Sequence, residues 1–170
     1  MGAVFSTIKP EEVSDNVFTL FGNDWPLLTA GNLNKYNSMT IGWGGLGTIW
    51  KKKVGLVLVR PQRYTFQFLE KESYFSLSFF DESYKKVLNY FGSKSGKDVD
   101  KAKETGVTPV EGEQKTVYFQ EARLVLILKK IYFDDIDPNN FLGINPDDFY
   151  PGKDYHRLYI GEIVSGLIKK

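Results

Sequence analysis

Residues 27–60 read LLTAGNLNKYNSMTIGWGGLGTIWKKKVGLVLVR, and this stretch decides the fold class. Leu27–Leu33 and Ser38–Trp43 are short apolar-leaning runs separated by the polar turn Asn34-Lys35-Tyr36. Gly44–Gly47 reads as a glycine-rich turn, and Val54–Arg60 as a nearly continuous apolar strand stopped by Pro61. Short β-like runs joined by a few turn residues predict antiparallel hairpins.

The same grammar extends outward. Asn16–Phe21 reads as a strand ending at Gly22-Asn23-Asp24, Tyr74–Phe80 as another, Glu121–Asp134 as a long β segment and Arg157–Leu167 as the last strand. Three segments break the pattern. Tyr64–Glu72 reads as a short helix. Ser83–Phe91 keeps helical spacing through Tyr84, Val87, Leu88 and Phe91, with Gly92 as its stop, and Val99–Thr105 is a second short helix closed by Gly106. Phe141–Pro151 reads as loop. Strands outnumber helices and do not alternate with them regularly, which disfavours a parallel α/β sheet. A closed or half-open antiparallel barrel with two or three satellite helices fits.

The chain has 170 residues, which suggests a single domain spanning 1–170. A formal net charge of +1 gives no footprint for nucleic acid or an anionic membrane. With no Cys and one His, at position 156, thiol catalysis, Cys-ligated clusters and multi-His zinc sites are excluded, and no metal site is expected. Redox work in such a chain needs an organic cofactor. No run approaches the ~18 apolar residues of a membrane helix. The N-terminal residues lack a charged region followed by an apolar one, so a cytoplasmic location is expected. Gly2 and Ser6 fit the short myristoylation pattern, which chance often meets.

Two nucleotide motifs fail on context. Gly42-Trp-Gly44-Gly45-Leu-Gly47 matches G-x-G-x-x-G, but an apolar strand follows instead of a helix, and no acidic residue appears before Glu70. Gly92–Lys97 is one residue short of a P-loop, with Asp98 where Ser or Thr is required. It still offers Ser93, Ser95, Gly96 and Lys97, donors that suit an anion. No G-x-S-x-G elbow accompanies His156.

Three stretches read together resemble the flavin reductase-like family of FMN-binding split-barrel proteins, in particular its flavoredoxin branch. They are Ala30–Gly44 (AGNLNKYNSMTIGWG), Val59–Thr65 (VRPQRYT) and Asp154–Glu162 (DYHRLYIGE), with Ser95–Lys101 (SGKDVDK) as a fourth. The resemblance implies a mainly β fold, a six-stranded antiparallel Greek-key split barrel with two or three short flanking helices, assembled as a homodimer. It implies non-covalently bound FMN in a groove near the dimer interface. Carried over by position, Asn37, Ser38, Met39, Thr40 and Trp43 line the flavin ring and ribityl chain. Arg60, Arg63, Tyr64 and Thr65 lie at the ribityl–phosphate side, Ser95 and Lys97 reach the phosphate, and His156 sits near the redox end of the ring as the candidate catalytic residue. A dianionic phosphate suits Arg, Lys and hydroxyls, and a flat ring suits Trp43 and Met39 with Asn37 and Thr40 for its polar edge.

The residues taken singly also admit plainer roles. Trp43 and Met39 suit a core, Arg60 and Arg63 could pair with Glu70 or Glu72, and a lone His is commonly structural. Within the family, two activities stand open. One is an NAD(P)H-dependent flavin reductase, the other an electron carrier that exchanges electrons with a protein partner. A non-enzymatic flavin- or ligand-binding barrel is the alternative. Gly42, Lys53 and the Tyr155 between Asp154 and His156 depart from the common family pattern. An aromatic content of 15% is compatible with a dimer interface.

Overall fold

The computed structural model describes residues 4–170, so Gly2 lies outside the described residues. Among the described residues ten strands form: β1 (Phe5–Ile8), β2 (Leu27–Asn32), β3 (Lys35–Thr40), β4 (Gly44–Ile49), β5 (Lys52–Val59), β6 (Tyr74–Phe79), β7 (Pro109–Glu111), β8 (Val117–Phe119), β9 (Leu124–Asp135) and β10 (Arg157–Lys169). Helices are few and short: α1 (Val17–Thr19), α2 (Phe66–Lys71), α3 (Lys85–Ser93) and α4 (Lys101–Thr105). The protein is mainly β. Its strand count differs from the expected six, since the main sheet has eight strands in the order β3-β2-β6-β9-β10-β5-β4, with β1 also on β10, and β7-β8 stand apart. All pairings are antiparallel.

The long strand β9 organises the layers. Leu124, Leu126 and Leu128 point into one core with Phe75, Leu77, Val57, Val59 and Tyr159. Val125 and Ile127 point the other way, into a second core with Leu88, Phe91, Ala102 and Phe119. Alternation puts successive side chains on opposite faces, so an unbroken Leu-Val-Leu-Ile-Leu run demands cover on both. The curled sheet supplies one cover, and α3, α4 and the β7–β8 hairpin supply the other. β10 pairs with β9 along most of its length, through two register shifts. Its opposite edge takes β5 at Arg157–Glu162 and β1 at Gly166–Lys169.

Three local expectations are corrected. Asn16–Phe21 is helical, not extended, because the Asn16 side chain accepts from the backbone N–H groups of Phe18 (3.0 Å) and Thr19 (3.4 Å) and starts a turn. Leu20 and Phe21 are buried by the π-type turn that follows (Leu20–Asp24). Gly44–Gly47 belongs to β4 rather than to a turn. A Cβ on Gly44 would strike the Phe21 ring at 2.7 Å and the Leu56 carbonyl, so the glycine allows close approach within the sheet. The turn falls instead at Trp50-Lys51, both in the left-handed region (φ 51° and 61°), closing a two-residue β4–β5 hairpin. Gly92 does not end α3, which continues to Ser93. By contrast Gly106, at φ 75°, closes α4 as expected. Strands β1, β7 and β8 are additions to the elements read from the sequence.

Candidate functional site

Strand β3 presents alternate residues to two different places. Asn37 and Met39 face the side that α2 and the Arg60–Thr65 turn approach, whereas Ser38 and Thr40 face the helical layer. Asn37 Nδ2 donates to Thr65 Oγ1 at 2.7 Å, and both residues are buried. The Ser38 hydroxyl lies 2.7 Å from Thr29 Oγ1 across the β2–β3 ladder, and the Thr40 hydroxyl donates to the Leu88 carbonyl at 2.5 Å. Those two hydroxyls hold β3 to its neighbours.

A trench runs beside this strand as three adjoining cavities. At one end, about 220 Å³ is lined by Met39, Thr40, Trp43, Leu58, Arg60, Arg63 and His156. The middle chamber, about 140 Å³, shares Met39 and Arg63 with the first and adds Asn37, Tyr64, Thr65, Ser93, Ser95, Gly96 and Lys101. Ten of the twelve residues expected from sequence thus line these two chambers. The other two, Ser38 and Lys97, line the third and largest, about 550 Å³.

The middle chamber is cationic. Arg63, Lys94 and Lys101 line it and no Asp or Glu does. Arg63 donates one guanidinium N–H to the Gly92 carbonyl at 2.8 Å. Burial, and then Arg60 nearby, hold its pKa below the usual arginine value. Lys101 is the residue that sequence reasoning missed. Only 6% exposed, its ammonium donates to the carbonyls of Ser38, Phe91 (3.2 Å) and Lys94 (3.3 Å). These are carbonyls of β3 and of the C-terminal end of α3 and just beyond it, where a helix carries partial negative charge. Burial, and then Arg63, lower the Lys101 pKa to about 8, so it remains a cation at neutral pH. Its only hint in sequence was its place as the last residue of SGKDVDK. The close approach of Gly96 completes the wall, where a Cβ would run into Asn37 Oδ1.

The first chamber is capped by aromatic residues from a distant segment. His156 Nδ1 lies 3.0 Å from Tyr150 Oη, and its ring is 4.9 Å from that of Trp43. Trp43 also meets Phe149 and Tyr150 edge to face, both at 6.2 Å. Arg60 latches this cap. It pairs with Asp154 and donates to the Phe149 carbonyl at 3.1 Å, and Gln62 donates to the same Asp154 oxygen. The sequence suggested Glu70 or Glu72 as ionic partners for Arg60 and Arg63. Glu70 instead takes Arg157 (2.9 Å) and the Tyr159 hydroxyl (2.6 Å). Burial first, and Arg60 second, push the His156 pKa down to about 4, so the imidazole is neutral at pH 7.

Residues 27–170 match the family described as flavin reductase like domain, and the chain belongs to that family. The fold is similar to the flavoredoxin of Desulfovibrio vulgaris (Miyazaki F), with a TM-score of 0.67, 21% identity, and 95% of this chain and 76% of that chain covered. It is similar to the flavoredoxin of Methanosarcina acetivorans at TM-score 0.66 and 23% identity, covering 95% and 74%. An FMN-binding domain of a flavin reductase-like enzyme from Shewanella baltica OS155 gives 0.69 and 17%, covering 99% and 78%. No curated protein matches. Among the described residues, no helix is long and apolar enough to cross a membrane, and no cluster of three or more His, Asp or Glu side chains could hold a metal ion.

The depressed His156 pKa has a consequence for stability. Unfolded, His156 binds its proton near pH 6.5; folded, only near pH 4. Between those values the unfolded chain holds more protons, so stability falls as pH drops from about 6.5 towards 4, by up to about 3 kcal/mol. His156→Gln is expected to flatten the urea-midpoint profile over that window. A variant profile as steep as the parent's would assign the loss to other groups.

Proposed function

We propose that the trench binds FMN non-covalently and that the protein is a flavin-dependent redox protein of the flavin reductase or flavoredoxin kind. One observation carries this reading. Three stretches far apart in sequence (37–43, 60–65 and 93–101) line two adjoining chambers, one cationic and free of lining carboxylates, the other walled by Met39, Trp43 and Leu58. The donor set fits FMN at both ends. Arg63 and Lys101, with the hydroxyls of Ser93 and Ser95, suit a dianionic phosphate. The apolar walls suit a flat ring, and the combined space reaches the lower end of the roughly 300–1,000 Å³ typical of small-molecule sites.

When bound, FMN supplies one- and two-electron redox chemistry. The protein's own residues supply placement and electrostatics. The Asn37 amide donates to Thr65 Oγ1, and that bond holds the group at the boundary of the cationic chamber. Arg60 acts through Asp154 and Phe149, keeping Trp43 and His156 under one aromatic cap and limiting water at that end. His156 contributes a neutral imidazole: Nδ1 is committed to Tyr150 Oη, leaving Nε2 as its other polar atom. A neutral group there adds no positive charge to that of Arg60 and Arg63.

The protein works as a homodimer in this reading. The outer sheet face carries exposed Trp50 (60%) and Tyr132 (41%), packed edge to face at 5.8 Å, beside half-buried Leu56, Leu58 and Leu158. That apolar face borders the first chamber through Leu58, and aromatic residues are enriched in interface cores. Sedimentation should give twice the mass of one chain, and Trp50→Glu should give the single mass. A parent protein that sediments as a monomer removes the dimer from the reading.

Binding is tested directly. Purified protein incubated with FMN and desalted should retain the visible flavin bands. Arg63→Ala should weaken FMN binding about 10- to 100-fold, since a charge-assisted hydrogen bond is worth ~1.5–3 kcal/mol. Retention of no flavin by the parent protein sinks the proposal, and unchanged affinity in the variant removes Arg63 from the phosphate side. Anaerobic mixing of the loaded protein with NADH and NADPH then divides the two activities. Bleaching of the bound flavin is expected of a reductase; bleaching only by a reduced protein donor identifies a carrier.

A further inference from the structure

His156 is oriented by a phenol and not by a carboxylate. Asp154, two residues before it, is engaged elsewhere, with Oδ2 accepting from Arg60 and Gln62. The atom on Nδ1 is Tyr150 Oη, at 3.0 Å, and both side chains are buried, Tyr150 at 2% exposure and His156 at 9%. The pair is held from several sides. The Tyr150 backbone N–H donates to the Pro146 carbonyl, and the Tyr150 carbonyl accepts from the Lys153 N–H, both at 2.9 Å. The Arg60 guanidinium lies 5.4 Å from the centre of the Tyr150 ring, and the Trp43 and His156 ring centres are 4.9 Å apart.

The direction of the Tyr150–His156 bond follows from what each partner can do. An imidazole nitrogen either donates or accepts, whereas a buried phenol O–H needs an acceptor. If Nδ1–H donated to Oη, the Tyr150 hydroxyl proton would lose the acceptor that lies 3.0 Å away. With the phenol donating, Nδ1 is an acceptor and the imidazole proton sits on Nε2. Burial raises the Tyr150 pKa, so the phenol keeps its proton at neutral pH. After burial, which disfavours an imidazolium most, the charged groups acting on His156 are Arg60, which disfavours it too, and Asp154, which favours it. Among the described residues Nε2 has no hydrogen-bond partner, and His156 lines the first chamber. A carboxylate on Nδ1 would do the reverse. It would accept from Nδ1–H, raise the basicity of the ring and leave a lone pair on Nε2.

We propose that Tyr150 is a positioning residue that holds His156 as its Nε2–H tautomer, so that the imidazole offers the first chamber a neutral hydrogen-bond donor and no base. The ligand atom it meets is an acceptor, a carbonyl oxygen or an unprotonated ring nitrogen. On the FMN reading, on which this assignment of the ligand rests, the acceptor belongs to the polar edge of the flavin ring. His156 in this role holds a ligand atom and takes no proton from one.

The chain has one histidine, so labelling histidine with nitrogen-15 gives a single pair of ring signals. In the flavin-free protein at pH 7, a long-range proton–nitrogen correlation spectrum should show the proton on Nε2 and the lone pair on Nδ1. Tyr150→Phe, which keeps the ring and removes the donor, should let the Nδ1–H form appear and move the titration midpoint up from about 4 towards 6.5. Adding FMN should shift the Nε2 resonance of the parent, and that of Tyr150→Phe less. A proton on Nδ1 in the parent, or the same tautomer in Tyr150→Phe as in the parent, overturns the proposal. A visible spectrum of bound FMN with an unmoved Nε2 resonance overturns the donor role. Failure of FMN to bind overturns the flavin reading and the acceptor assigned from it, while the flavin-free spectrum still decides the tautomer.

Discussion

Strand β9 has no solvent face over Leu124–Leu128, and the rest of the molecule is arranged around that fact. Five consecutive apolar side chains, each no more than 1% exposed, need cover on two sides at once. At about 25 cal/mol per Å² of apolar surface removed from water, leaving either side open would forfeit several kcal/mol. The curled sheet covers the even-numbered residues and the helical layer covers the odd-numbered ones. The helical layer thereby comes to rest beside β3, and the trench lies where that layer and the Arg60–Thr65 turn meet the strand.

Holding that junction together falls to buried polar groups. Among the described residues, the hydrogen-bond partners of the Lys101 ammonium are all carbonyls, and they join β3 to the end of α3. Desolvation disfavours its charge, and the α3 dipole and three carbonyls offset part of that cost. An unpaired, partly desolvated cation beside Arg63 is a poor device for stability alone, because a buried charge favours a nearby counter-charge. It makes sense as half of an interaction that an anionic ligand completes. Arg60 is the contrasting case. Its charge is matched by Asp154, and its work is to anchor the aromatic cap. Two arginines three residues apart thus have different roles, decided by which one has a carboxylate within reach.

Much of this was readable before any coordinates. Mainly antiparallel β structure, the apolar strand before Pro61, the Gly106 stop and the two rejected nucleotide motifs follow from local pattern and turn chemistry. So did the regions that line the trench, though there the family resemblance did what periodicity could not. The misreadings share a physical cause. Asn16 acted through its side chain as a helix cap where the apolar run after it suggested a strand. Gly44 served close approach within a sheet, whereas glycine clusters usually mark turns, and the true turn used Trp50 and Lys51, residues with no propensity for positive φ.

Sequence by itself determined what is local or compositional: where strands run, where chain direction changes, and that cysteine and multi-histidine chemistry is absent. Through the family resemblance it also marked ten of the residues that line the two inner chambers. Only the tertiary structure decided how their charges are used. Whether Arg60 or Arg63 is free, whether Ser38 and Thr40 bond to Thr29 and Leu88, whether His156 is neutral, and that Lys101 is a buried cation all depend on partners 6 to 94 residues away in the chain. A pKa or a hydrogen bond is a property of the neighbours a side chain meets in space, and no spacing along the chain encodes them.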